Sequence, residues 1–91
     1  MQFSWSESKR EANIRTHGLD FIDAAPIFEG LTYTFEDDRI WYAEQRFVTL
    51  GLLAGVPVSI VHTEATHEIR IISFRKATRA EARIYFEAIG N

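Results

Sequence analysis

The stretch EIRIISFRKATRAEARIYF, residues 68–86, decides the fold, because a strand pattern passes directly into a helix start. Residues 68–74 are rich in branched and aromatic side chains, which predicts a strand. Thr78 with Glu81 three positions on forms a capping box. Apolar side chains then recur at helical spacing, at Ala82, Tyr85, Phe86 and Ile89. An amphipathic helix of about eleven residues is therefore expected to pack on a sheet.

Further strands are predicted upstream, over residues 31–35, 46–53 and 58–63. The second and third are joined through Ala54 and Gly55, a pair typical of a hairpin turn. With residues 68–74 these segments give three or four antiparallel strands. A short alternation at Phe3 and Trp5 is compatible with an additional edge strand.

Two helices are predicted in the first third of the chain. The first covers residues 7–17 and ends at Gly18, which suits a left-handed helix end. The second starts after Asp20 as an N-cap and covers residues 21–29. Pro26 lies inside it and lacks a backbone N–H, so we expect a bend or a later start.

This element order predicts an α+β fold in a single domain, residues 1–91. There is no cysteine and neither an apolar leader core nor a membrane-length apolar run, so a cytoplasmic protein without membrane contact is expected. Metal-binding, P-loop and dinucleotide motifs are missing from the sequence, so neither a metal nor another cofactor is expected.

The net charge of −3 hides two oppositely charged regions. Residues 20–44 hold seven carboxylates and Arg39 as their one basic residue. Residues 70–83 hold Glu81 and five cations, Arg70, Arg75, Lys76, Arg79 and Arg83. The basic region fits a phosphate or nucleic-acid surface, because guanidinium groups donate forked hydrogen bonds to phosphate. The alternative is an ordinary solvated face paired with the acidic region.

Several other residues are candidates for chemistry. His17 ends a helix, where the dipole favours the protonated ring. Strand alternation places Arg70 on the same face as Phe74, while Arg46 and His62 lie on strands that could be its neighbours. The ring of Tyr85 could stack on a base, but at this helical spacing a core position is the favoured interpretation.

Several motifs in order along the chain resemble the BrnT family of bacterial toxins. The combination of N-x-x-x-H-G at residues 13–18 with R-I-I-S-x-R-x-A at residues 70–77 is the most specific part. Matching stretches are WSESKREANIRTHGLDF (5–21), AAPIF (24–28), EQRFVTLG (44–51), HTE (62–64) and IRIISFRKATRAE (69–81), with Tyr85 after them. The resemblance implies a RelE-like fold with two N-terminal helices, a mainly antiparallel sheet of about four strands and a C-terminal helix.

The resemblance also implies a metal-independent endoribonuclease toxin of a type II toxin-antitoxin system, which inhibits translation and growth. Its partner would be a DNA-binding BrnA-like antitoxin in a heterotetramer of two toxins and two antitoxins, reaching operator DNA through the antitoxin. Two positions depart from the family pattern. Thr16 replaces a usual Lys before His-Gly, and Phe74 replaces a usual Ala, where it would crowd the site or stack on a base.

The site residues follow from this resemblance and from the chemistry of RNA cleavage, which needs proton transfer and positive charge at phosphorus. The catalytic candidates are His17, Glu44, Arg46, Arg70 and Arg75. The candidates for RNA binding are Lys9, Lys76, Arg79, Arg83 and Tyr85. Two rival functions stay open: a non-catalytic, toxin-derived regulatory module that binds an antitoxin and operator DNA or RNA, and plain RNA binding.

Overall fold

A computed structural model describes residues 1–39, 41 and 43–90. These residues form two α-helices and five strands, with two 3-10 helices between α1 and β2. Their bounds are β1 Gln2–Ser4, α1 Glu7–His17, 3-10 helices Phe21–Asp23 and Ala25–Glu29, β2 Tyr33–Glu36, β3 Phe47–Leu53, β4 Val56–Ala65, β5 Glu68–Lys76 and α2 Arg79–Ala88. The α+β class is confirmed. Within the described residues, neither α1 nor α2 is long and apolar enough to cross a bilayer.

The sheet has the strand order β1-β5-β4-β3-β2 and is mixed. β1 lies parallel to β5, with Ser4 opposite Arg70, whereas the other neighbouring pairs are antiparallel. The expectation of about four strands was therefore wrong by one, since the alternation at Phe3 does form an edge strand. The β3–β4 hairpin was predicted correctly, and both turn residues, Ala54 and Gly55, have positive φ.

The helix ends confirm the local signals in the sequence. The Ser6 hydroxyl accepts a hydrogen bond from the Lys9 N–H, and Gly18 ends α1 with φ of 72°. At α2, the Thr78 hydroxyl accepts from the Glu81 N–H and the Glu81 carboxylate accepts from the Thr78 N–H. Both helices consequently begin and end where short-range hydrogen bonds dictate.

The predicted second α-helix over residues 21–29 was wrong, since this segment forms the two 3-10 helices instead. Asp20 does cap the first of them by accepting from the Ile22 N–H. Pro26 then stands at the start of the second, where its missing N–H costs no internal helix bond. Ile27 packs so closely on β3 that a Cβ added to Gly51 would lie 2.6 Å from it.

A β-bulge in β5 overturns the predicted position of Phe74. Val61 pairs with Ser73 and His62 with Ile71, so Ile72 is an extra residue and the alternation of side chains shifts after it. Phe74 returns to the face of Ile71 and is 0% exposed. It lies in the core, and so it neither crowds Arg70 nor offers its ring to a base.

The sheet separates two hydrophobic clusters. The first face packs against the 3-10 helices and contains Phe21, Ala24, Ile27, Val58, Ile60, Ile69, Ile71 and Phe74. The second face is partly covered by α2 and contains Val48, Leu50, Val61 and Tyr85. Tyr85 is 1% exposed, and its hydroxyl donates to the Leu31 carbonyl at 2.8 Å. Its ring belongs to this core and is not available to stack on a base, in agreement with the core position favoured from its helical spacing.

Candidate functional site

One face of α1 and the strand β5 enclose a groove that contains two predicted site residues. Its lining consists of Lys9, Ala12, Asn13, Thr16, His17 and Ile72, around a volume of about 210 Å³. Lys9, Asn13 and His17 are four residues apart in turn, which puts them on one side of the helix. We call this the α1 groove. It brings a cation and an imidazole together beside the strand that carries Arg70.

Asn13 fixes the position of α1 against β5. β1 pairs with β5 only as far as Arg70, which leaves the outer edge of β5 open around Phe74. The Asn13 side chain accepts from the Phe74 N–H at 3.0 Å and donates to the Phe74 carbonyl at 2.8 Å. A single amide thus takes the place of a neighbouring strand. Asn13 begins the N-x-x-x-H-G motif of the sequence, but the motif alone does not reveal this contact.

A row of polar side chains crosses the second face of the sheet, at the end that α2 leaves open. Ser4 lies opposite Arg70 and Arg70 opposite Thr63, on neighbouring strands. Arg46 directly precedes Phe47, the partner of His62, and so lies next in line beside Thr63. Strand spacing puts the backbones of Arg70 and Arg46 about 10 Å apart. We call Ser4, Arg70, Thr63 and Arg46 the arginine row.

Glu44 lies at the outer end of this row. Its carboxylate is 3.9 Å from the Arg46 guanidinium, and it is more exposed than Arg46. Both residues line a cavity of about 530 Å³ together with residues of the β2–β3 connection, including the exposed Trp41. A carboxylate, a guanidinium and an indole therefore meet beside the row. Neither Thr63 nor Trp41 was identified from the sequence, because only the sheet register and the fold of this connection bring them here.

Strict alternation from Arg70 predicts the opposite face for Arg75, but the bulge at Ile72 puts Arg75 on the second face, together with Arg70. Its guanidinium is bound to Glu81. Two hydrogen bonds of 2.7 and 2.9 Å form this pair, which is largely shielded from solvent. The hydrogen bond from Arg75 lowers the pKa of the Glu81 carboxyl below its usual value. Because Glu81 also caps α2, Arg75 ties the end of β5 to the start of that helix.

The remaining predicted cations lie away from the arginine row. Lys76 pairs with Val58 on the opposite face of the sheet from Arg75. Arg79 and Arg83 are exposed on one side of α2, one turn apart. Six strand positions separate Arg70 from Lys76, a distance of about 20 Å. The basic residues 70–83 therefore lie in two separate places, with Arg70 in the arginine row and the other exposed cations near the start of α2.

His62 does not join the arginines, because its side chain points to the first face. The ring is 0% exposed, lies between Phe28 and Phe47, and shares a 2.7 Å hydrogen bond with the Thr49 hydroxyl. Burial lowers the pKa of His62 to about 4, so the ring is neutral at neutral pH. It is a core histidine and contributes no charge to the site.

Known proteins with a similar sequence and fold identify the family of this chain. A family model described as ribonuclease toxin, BrnT, of type II toxin-antitoxin system matches residues 5–81. The fold is similar to the crystal structure of the Brucella abortus ribonuclease toxin, BrnT, with a TM-score of 0.68 and 29% identity. That alignment covers 87% of this chain and 99% of the Brucella protein. No curated protein matches significantly. Because the family model spans most of the sequence, the chain belongs to the BrnT family of ribonuclease toxins of type II toxin-antitoxin systems.

Proposed function

We propose that this toxin is a metal-independent endoribonuclease that cleaves RNA between the α1 groove and the arginine row. The observation that carries the proposal is the position of Arg70. It is exposed on an open sheet face, in line with Arg46 and two strand positions from Ile72 in the wall of the groove. A phosphate at Arg70 would have the Arg46 guanidinium on one side and, on the other, the α1 groove that His17 and Ile72 line.

Arg70 and Arg46 hold the scissile phosphate in this mechanism. The RNA 2′-oxygen attacks phosphorus, the bond from phosphorus to the 5′-oxygen breaks, and a 2′,3′-cyclic phosphate and a 5′-hydroxyl are formed. Negative charge rises on the phosphoryl oxygens during this step, so permanently charged guanidinium groups stabilise the transition state. Lys9 adds positive charge from the helix side of the groove.

Proton transfer is assigned to His17, with Glu44 as the second group. One group removes the 2′-hydroxyl proton while the other protonates the departing 5′-oxygen. His17 is exposed at the end of α1, where it can reach solvent and a bound nucleotide. Arg75 acts mainly through Glu81, by holding the end of β5, and Arg79, Arg83 and Lys76 attract the RNA strand electrostatically.

The proposed partner is a BrnA-like antitoxin in a complex of two toxins and two antitoxins, which reaches operator DNA through the antitoxin. Family membership implies that an antitoxin exists. The separation of charge along the chain supports a protein partner beside RNA, since it leaves an acidic region for a protein and basic residues for RNA. The 2:2 composition and the contact with operator DNA follow from the resemblance to the BrnT family. Growth arrest through loss of translatable RNA is the expected result of expression without the antitoxin.

A cleavage assay tests the ribonuclease proposal. The purified toxin is incubated with a defined mRNA and EDTA in the absence of ribosomes, and the 3′ ends of the products are analysed. We expect cyclic phosphate ends from the wild type, a loss of at least about 100-fold for Arg70→Ala, and a loss of about 10²–10⁴-fold for His17→Ala, the usual range for a proton-transfer group.

Arg83→Ala serves as the matched control, because this exposed arginine lies on α2 and away from the arginine row. Its activity is expected to fall by less than about threefold at physiological salt. If the folded wild type cuts no RNA yet binds it with salt-dependent affinity, RNA binding replaces catalysis as the function. Full activity of His17→Ala would remove that residue from the mechanism.

A further inference from the structure

A second groove, remote from the arginine row, has an apolar lining. It lies where the chain passes from the second 3-10 helix into β2, and it has a volume of about 290 Å³. Its lining includes Leu31, Leu52, Tyr85 and Ile89. Leu31 is 71% exposed, and Leu52 beside it is partly exposed as well. We call this the apolar groove.

The groove is held open by the structure around it. The Tyr85 hydroxyl donates to the Leu31 carbonyl, which ties α2 to the segment before β2. Ile27 lies against Gly51 on β3 and fixes the other side. Contacts with the packed core therefore hold the groove in place, while Leu31 remains mostly exposed to solvent and available to a partner.

The charges around the apolar groove select its occupant. Glu29 and Glu87 are exposed on the segments that form its two sides, and the chain has no Lys or Arg from residue 20 to residue 31 or after Arg83. The C-terminal end of α2, with its negative dipole, lies there too. Carboxylates and a negative helix end repel RNA, and they would repel each other if two copies of the chain met through this groove.

We propose that the apolar groove is the anchoring site for the antitoxin, which inserts apolar side chains between Leu31 and Ile89 and places Lys or Arg beside Glu29 and Glu87. The inference rests on the antitoxin-binding part of the proposed function and is independent of the ribonuclease part. β2 is the outer strand of the sheet at this corner, so a bound segment can also pair with its free edge.

Anchoring here leaves the RNA site accessible. Along β3, six positions separate Arg46 from Leu52, which is about 20 Å. A segment confined to the apolar groove thus binds without touching Arg70, and neutralisation requires a further part of the antitoxin to reach the arginine row. Binding and inhibition are separable properties of two surfaces.

The test compares antitoxin affinity among surface variants by calorimetric titration with the purified cognate antitoxin. Leu31→Asp is expected to weaken binding at least tenfold, because it puts a carboxylate into the apolar contact. Glu29→Lys is expected to weaken binding several-fold and to flatten its salt dependence. Ile14→Asp is the matched control, a 38% exposed apolar residue on α1 at the other edge of the sheet, and should bind within twofold of the wild type.

RNA cleavage and thermal melting of the same preparations separate the possible causes. Leu31→Asp should have a melting temperature close to that of the wild type, because residue 31 is largely exposed to solvent. It should also cleave RNA at the wild-type rate. Wild-type affinity in Leu31→Asp, or equal losses in Leu31→Asp and Ile14→Asp, would overturn the anchoring site. Self-association of the wild type that Leu31→Asp abolishes would assign the groove to a second copy of the chain instead. A wild type that binds antitoxin but cuts no RNA would refute only the ribonuclease proposal.

Discussion

At the scale of single residues, the side chain of Asn13 connects helix α1 to strand β5. It is the one α1 residue that is buried, and both polar ends of its amide are used by the Phe74 backbone. The same residue lies between Lys9 and His17 in the α1 groove. A change at Asn13 therefore acts on the stability of the sheet edge and on the placement of the site together.

Asn13→Leu is expected to lower the free energy of unfolding by about 2–4 kcal/mol, because it leaves a buried N–H and a buried carbonyl of Phe74 without partners. Urea unfolding at 25 °C measures the change. Glu11→Ala, at an exposed position of the same helix, should stay within about 0.5 kcal/mol of the wild type. Equal unfolding midpoints for Asn13→Leu and the wild type would show that α1 is held by other contacts.

His62 makes stability depend on pH. Its pKa is about 4 in the folded protein and about 6.5 when unfolded, because burial disfavours the charged ring. Between pH 6.5 and 4, the unfolded state therefore binds more protons than the folded state. The neutral, buried His62 ring contributes its full stability above pH 6.5, and this stability is lost as the pH falls toward 4. The loss amounts to up to about 3 kcal/mol.

The measurement is urea unfolding at several pH values between 7 and 4.5 for the wild type and His62→Gln. The glutamine can still hydrogen-bond Thr49 but cannot take up a proton. Changes from carboxylates are common to both proteins and cancel in the difference. The difference in unfolding free energy should shift in favour of His62→Gln as the pH falls, whereas parallel curves would mean that His62 titrates equally in both states.

At the scale of elements, the junction of β5 and α2 joins a strand to a helix through one ion pair. Arg75→Ala leaves the largely shielded Glu81 carboxylate without its guanidinium and weakens the cap of α2. A double-mutant cycle with Glu81→Ala is expected to give a coupling energy of about 1–2 kcal/mol. The rate of RNA cleavage, measured well below the melting temperature, distinguishes a structural role of Arg75 from a catalytic one. If the role is purely structural, Arg75→Ala slows cleavage no more than Glu81→Ala does.

Local signals explain which elements were predictable. Ser6, Gly18 and the Thr78–Glu81 box fix the ends of α1 and α2 through hydrogen bonds within a few residues, and both helices were predicted correctly. Capping by Asp20 was also found, but the helix after it was not, since tight packing of Ile27 on Gly51 decides that segment. The bulge at Ile72 and the parallel pairing of β1 depend on distant partners, which alternation within a strand does not reveal.

At the scale of the whole molecule, the basic region of the sequence is divided between two ends of one sheet. Arg46 was expected on a strand that could neighbour the strand of Arg70, but β4 lies between the two strands, and the register puts both arginines in one row with Thr63 between them. Arg79 and Arg83 were grouped with Arg70 because they are close in sequence, yet strand length carries them to the other end. Closeness along the chain therefore did not predict which of these arginines lie together in space.

The pairing of β1 with β5 also determines when the toxin can become harmful during its synthesis. Ser4 meets Arg70, and Asn13 meets Phe74 across 61 positions, so the site forms only after the first and last strands have found each other. Contacts this distant in sequence form late in folding, because the intervening loop must close first. A fragment that stops before residue 68 has neither Arg70 nor the backbone that Asn13 binds. Incomplete chains are therefore expected to be harmless to the cell that makes them.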